Sequence, residues 1–151
     1  MKVEPATPRD ADALAALFLE ARRAAMPWLP ELHSDEDVRS YLAERVLRDC
    51  EVLVVRRRRE PAAFLALRGD MVEHLYVRPD AQRAGLGSAL LEAAKARRPA
   101  GLRLWVFQRN HGARAFYARR GFTELRLTDG ADNEEREPDA LLWWPGTRPN
   151  P

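Results

Sequence analysis

The chain has 151 residues, of which 46% are hydrophobic and 32% charged, the length of one domain and too apolar a composition for a disordered chain. No apolar run approaches the ~20 residues that cross a bilayer, and the single cysteine, Cys50, excludes an internal disulfide and a thiolate metal site, so a soluble protein of a reducing cytoplasm is expected. The net charge of +2 is a weak pointer to nucleic acid, because all but Lys2 and Lys95 of the 25 basic residues are arginine and isoleucine is absent, a skew more typical of codon usage.

The elements follow in chain order. Met1 to Pro5 turns polar where the apolar segment of a signal peptide would begin, so no leader is predicted, and Lys2 to Ala6 reads as a short edge strand. Thr7 and Pro8 ahead of Asp10 form a helix start, since threonine caps, proline suits the first helical position and a carboxylate favours the first turn. Leu14, Leu17, Phe18 and Ala21 then recur at helical spacing until Pro27 and Pro30. Ser34 is a second cap, with Asp35, Glu36 and Asp37 in the first turn and Val38, Tyr41, Leu42 and Val46 as the apolar face. From Cys50 the period changes: Val52 to Val55 and Ala62 to Leu67 predict neighbouring strands, and Gly69-Asp70 turns into a third, Met71 to Val77. Helices over Gly85 to Arg97 and Asn110 to Arg120 flank a strand at Leu102 to Phe107, whose Trp105, Val106 and Phe107 suit a buried position. Phe122 to Thr128 and Ala140 to Trp144 complete a mixed α/β order. Neither an internal repeat nor a linker divides the chain, so residues 1–151 are expected to form one domain.

The segment Gln82 to Ser88 joins a strand to a helix. A helix start leaves amides unpaired and carries partial positive charge, so such a loop can wrap a pyrophosphate with backbone alone. Gly85 and Gly87 remove the side chains that would hold a ligand away. A third glycine for a dinucleotide fold is missing, and no Gly-Lys-Ser/Thr follows for a triphosphate loop. Gln82-x-x-Gly85-x-Gly87 after a strand ending Val77-x-Pro79, followed by Asn110-His-Gly-Ala113-Arg-Ala-Phe116-Tyr117-Ala-Arg-Arg-Gly121-Phe122, resembles the two signature motifs of the GNAT superfamily of N-acetyltransferases. The resemblance extends over the whole order of elements and implies a central mixed, mostly antiparallel sheet of about seven strands with about four flanking helices.

It also implies roles. The backbone of Gln82, Arg83, Ala84, Gly85, Leu86, Gly87 and Ser88 would hold the pyrophosphate of acetyl-coenzyme A, and main-chain groups of Leu75 and Val77 would pair with its pantetheine arm as an added strand. The Arg83 side chain is either a point of positive charge there or a solvated loop arginine. Asn110 would contact the cofactor arm, cap its helix, or both. Tyr117 would lie near the cofactor sulfur and protonate the departing thiolate, because a thiol of pKa about 8.5 leaves poorly as a bare anion from a sheltered site. No metal is implied.

A base is also needed, since presenting a lysine-like amine unprotonated at neutral pH costs about 4.6 kcal/mol. Counting by twos along the strand puts Glu73 on the face of Leu75 and Val77, toward the cofactor cleft; the alternative is an exposed strand glutamate. His74 then points to the opposite face, as packing or surface. Two segments would form the acceptor site. In Met26 to His33, Trp28 either walls the pocket or anchors the loop, and His33 is expected at the surface. In Asp129 to Asp139, Glu134 and Glu135 belong to an acidic run that is either solvated or draws in a cationic amine. Charge is uneven to match: ten basic residues against two acidic ones from Arg78 to Arg120, and seven acidic against two basic from Glu124 to Asp139. The acceptor would be a small-molecule or protein amine, and the chain a monomer or homodimer. Two rival readings are an acyl-coenzyme A sensor without activity and a nucleic-acid binder using Arg56 to Arg59, which lacks stacking aromatics. Membrane attachment is not expected.

Overall fold

In the computed structural model, which describes residues 1–147, short turns fix the order of the first strands. β1 (Glu4–Pro5) runs antiparallel to β2 (Glu51–Arg57), pairing Glu4 with Val54, and its edge position spares Pro5 a ladder bond it could not donate. β2 turns into β3 (Glu60–Arg68) through Arg58 and Arg59 alone, both at positive φ (52° and 70°), the backbone that a two-residue hairpin needs to follow the twist of its strands. Gly69 and Asp70 lead to β4 (Met71–Val77). β5 (Leu102–Phe107), β6 (Thr123–Leu127) and β7 (Asp139–Trp144) complete one sheet in the order β1-β2-β3-β4-β5-β7-β6. Every neighbouring pair is antiparallel except β4 and β5, so the sheet is mixed and mostly antiparallel, as the motifs imply.

Helices cover both faces. A 3-10 turn at Pro8–Asp10 opens α1 (Ala11–Ala25), and the Ser34 hydroxyl accepts from the Asp37 amide at 3.0 Å to start α2 (Asp35–Tyr41). A π-turn at Leu42–Val46 carries α2 into α3 (Leu47–Asp49). These pack on the face of Val52, Val54, Phe64 and Ala66, where Leu14, Leu17, Phe18 and Ala21 are all buried. α4 (Leu86–Arg97) and α5 (His111–Arg119) pack on the other face, with Leu90, Leu91 and Tyr117 against Leu53, Leu65 and Leu104. Two expected core residues lie elsewhere. Tyr41 is 41% exposed, because its hydroxyl reaches His74, and Trp105 is 44% exposed, because β5 spends its inward positions on Leu102, Leu104 and Val106.

β4 also breaks its own period. Leu67 pairs with Val72 and Ala66 with His74, leaving Glu73 as one residue too many. This bulge shifts the phase of the strand: Val72, Leu75 and Val77 share the α4 face. Counting by twos from Val77 therefore fails at Glu73, which does not sit with Leu75 and Val77.

The N-terminal edge is tied to the β2–β3 hairpin by one ion-pair network. Arg56 grips Asp10 with two bonds of 2.8 Å and donates to Glu4 at 2.6 Å, while Asp10 accepts the Thr7 amide at 2.8 Å. One arginine of the Arg56–Arg59 run is thus committed inside the fold. Hydrogen bonding from Arg56 holds the mostly buried Asp10 carboxyl below its ordinary range. A depressed carboxyl contributes stability that is present above its unfolded pKa near 3.8 and lost as the pH falls through the folded value. Asp10→Asn should cost about 2 kcal/mol at neutral pH, and denaturant titrations should show the variant losing less further stability than the parent below pH 4.

Candidate active site

The site begins where β4 and β5 part. They share a single register pair, Met71 with Arg103, beside the bond from the Arg103 amide to the Asp70 carbonyl (2.8 Å). Beyond it the strands separate, β4 staying with β3 and β5 with β7. The Arg78 amide donates to the Ala62 carbonyl of β3 at 2.8 Å. Backbone groups alternate along a strand, so those of Tyr76 also face β3, while those of Leu75 and Val77 face the gap. They form an edge open to an extended ligand.

Next to this edge stands the start of α4. Gly85 precedes it at φ 81°, with Arg83 also left-handed at φ 65°; no side chain caps the helix and its first turn holds no carboxylate. Gln82 to Gly85 are exposed, so the first-turn amides of Leu86, Gly87 and Ser88 are available to an anion. At Gly87 a Cβ would lie 3.4 Å from the Phe116 ring and 3.5 Å from Val77, so the glycine lets α4 begin tight against α5 and β4. Arg120 stacks 3.8 Å over the Phe116 ring and donates to the Ser88 hydroxyl at 2.9 Å. Seven of the ten basic residues between Arg78 and Arg120 are held in ion pairs, whereas Arg83, Arg119 and Arg120 have no carboxylate partner among the described residues. Two of those three belong to this helix start. Sequence reasoning missed Arg120, whose bond to Ser88, 32 residues away, has no local signature. Asn110 caps α5, accepting the Ala113 amide at 3.2 Å.

Tyr117 lies in the cluster that contains Leu104 and Val106 of β5 and takes in Leu75 and Val77 of β4. Its ring meets Phe116 and Phe122 edge-on at 5.2 and 5.4 Å, and it is 8% exposed. Burial, and after it the neighbouring Tyr76, raises the hydroxyl well above the usual tyrosine pKa, so it stays protonated.

On the opposite face a cavity of about 680 Å³ opens between α1, α2, the Met26–His33 segment, His74 and Glu134–Glu135. The two segments expected around an acceptor do meet. His33 pairs with Glu134 at 3.0 Å and Arg22 with Glu135 at 3.5 Å. The acidic segment is braced: a Cβ on Gly130 would lie 2.4 Å from the Glu137 backbone, and Asn133 donates to the Glu137 carbonyl at 2.7 Å. Trp28 is outside the cavity wall; it packs edge-on to Phe107 and lies 4.3 Å under the Arg109 guanidinium, the anchoring role. Glu73 does not line the cavity either and pairs with Arg68 at 3.0 Å. His74 does, on the face opposite Leu75 as expected, packed among the rings of Phe18, Tyr41, Phe64 and Tyr76. Its Nε2 lies 2.8 Å from the Tyr41 hydroxyl. Burial, and then the charge of Arg22, pushes His74 down to about 4. Burial, and then the charge of Glu73, raises Tyr41. Among the described residues no three His, Cys, Asp or Glu side chains are grouped to hold a metal ion, and no helix is long and apolar enough to cross a membrane.

Residues 48–124 match the family model described as acetyltransferase (GNAT) domain. No curated protein matches the chain significantly. Among solved structures, apo YjaB from Escherichia coli is similar over 97% of this chain and 98% of its own, at 22% identity and a TM-score of 0.79. A GCN5-related N-acetyltransferase from Rhodopseudomonas palustris follows over 94% and 93%, at 24% identity and 0.75. The PaiA N-acetyltransferase of Thermoplasma acidophilum, in complex with coenzyme A, matches over 95% and 98%, at 20% identity and 0.69. At these identities the likeness is one of fold.

The state of His74 is directly measurable. The folded chain keeps it neutral down to about pH 4, whereas the unfolded chain protonates it near 6.5. The unfolded state thus binds more protons in that window, and stability falls as the pH is lowered through it. NMR titration of the imidazole should give a midpoint near 4, and His74→Gln should flatten that slope; a midpoint near 6.5 would contradict the buried environment.

Proposed function

Because the chain belongs to the GNAT acetyltransferase family, we propose that it moves an acetyl group from acetyl-coenzyme A to a primary amine by direct attack with both substrates bound. The observation that carries this reading is the parted β4–β5 pair beside the uncapped start of α4. Together they offer two strand-edge residues to an extended arm and a cluster of free amides with Arg83 and Arg120 to a pyrophosphate. The coenzyme A complex of the Thermoplasma protein, which shares the fold, supports the same cofactor.

Acetyl-coenzyme A supplies an activated acetyl group as a thioester, so that a nitrogen–carbon bond forms as the carbon–sulfur bond breaks. Tyr117 supplies a proton at the sulfur. With its pKa raised by burial the hydroxyl is a poor acid but an always-protonated donor. It therefore steadies the departing sulfur by hydrogen bonding and passes on its proton as it regains one. On the amine side, His74 lines the acceptor cavity with Tyr41 bonded to it, and the charge of Glu73 is felt at Tyr41. Glu73, paired with Arg68 outside the cavity, influences this pair by its charge alone and does not touch the amine, whose proton leaves to solvent water. Glu134 and Glu135 hold the rim where the cation enters, and Trp28 keeps the loop opposite them in place. The single Cys50, without a disulfide partner, suits the cytoplasm.

A non-catalytic acyl-coenzyme A sensor would use the same edge and helix start, and turnover distinguishes the two. Acetyl-coenzyme A at about 100 times its Kd should stabilise the fold by ~2.7 kcal/mol; no thermal shift at saturation would remove the cofactor. Tyr117→Phe should lower kcat by about 100-fold while leaving acetyl-coenzyme A affinity within about twofold, and an unchanged kcat would move the donor elsewhere.

A further inference from the structure

We propose that the acceptor is a primary amine carried on an aromatic or branched aliphatic body and lacking a carboxylate, an inference that rests on the acetyl-transfer reading above. The cavity of about 680 Å³ has the size of a site for a small organic molecule. Phe18, Leu19, Met26, Leu29, Pro30 and Val38 give it apolar walls. An acceptor that is polar along its length would lose water against them without gaining hydrogen bonds, whereas an apolar body gains free energy in proportion to the area it covers.

The charges select further. Two arginines, Arg22 and Arg23, line the cavity against four carboxylates, Glu31, Asp37, Glu134 and Glu135, a net charge of −2 with histidine counted neutral. Both arginines are engaged. Arg23 pairs with Glu31 at 2.6 Å and Asp35 at 2.8 Å; Arg22 meets Glu135 at 3.5 Å and lies 5.0 Å over the Phe18 ring. A carboxylate or phosphate on the acceptor would meet a net negative wall with no uncommitted arginine. An ammonium group instead meets Glu134, whose side chain is 58% exposed and, among the described residues, held by His33 alone. A polyamine could set a second ammonium against Asp37, which has no ion pair among the described residues, but its chain would carry charge past the apolar walls and cover little of them.

The test uses 2-phenylethylamine and phenylalanine, which differ by one carboxylate, with spermidine as a third ligand. Calorimetric titration of the cofactor-free protein should show 2-phenylethylamine binding about 30-fold or more tighter than either of the others, with kcat/KM for thiol release from acetyl-coenzyme A in the same order. Glu134→Lys should narrow the gap to phenylalanine by about tenfold without changing acetyl-coenzyme A affinity. Equal or tighter binding of phenylalanine or spermidine, or no binding of 2-phenylethylamine at millimolar concentration, overturns the proposal. The predicted selectivity with no thiol released would leave it standing and overturn acetyl transfer; thiol release with spermidine or phenylalanine preferred would do the reverse.

Discussion

One constraint organises this molecule: among the described residues β4 and β5 are the only parallel neighbours in the sheet, and they meet at a single pair before separating. Parallel strands have no hairpin to hold them in register, so their contact depends on what the chain does between them. Here that connection contains the exposed loop and α4. The same stretch of chain therefore opens the sheet and sets an uncapped helix start beside the opening. Core packing keeps the strands apart without a hole, because Tyr117, Phe116 and Phe122 fill the α4 face beneath them.

The opening divides the chemistry between two faces. The α4–α5 face carries the uncapped helix start with Arg83 and Arg120, which have no carboxylate partner among the described residues. The α1–α2 face carries a cavity whose wall is net negative. The imbalance along the sequence survives folding only in part, since most arginines of the middle third are consumed by ion pairs. Of what remains, Arg83 and Arg120 lie where a polyanionic cofactor is expected, while Arg57, Arg58 and Arg59 of the β2–β3 hairpin are also without ion pairs among the described residues.

Much of this was legible in the residues. Strand runs such as Val52 to Val55 and the turn at Gly69-Asp70 fixed seven strands, and Ser34, Asn110 and Thr7 marked helix starts, because capping and two-residue alternation are local effects. Glu73 was not legible in the same way. Its placement depends on its being the unpaired residue of a bulge, which a single strand read alone does not display; it exists only in the register between β3 and β4. Which of the two roles Trp28 takes, and the bond from Arg120 to Ser88, were not legible, each being fixed by a partner distant in sequence, Arg109 for the one and Ser88 for the other.

The bulge has a wider consequence. Because side chains alternate with a repeat of two, one additional residue is a half-period delay, and the strand consists of two stretches out of step. Met71 and Val72 are timed to the sheet's shared pairing with β3 and β5, and Leu75 to Val77 to the open edge. Deleting Glu73 would restore an unbroken ladder, with Leu67 opposite Val72 and Ala66 opposite His74 and each residue keeping its face, whereas inserting or deleting a residue elsewhere in β4 with the bulge kept would exchange inside for outside along one of its halves. The extra residue thus works as a clutch between a structural segment and a functional one, allowing either to change composition without resetting the other.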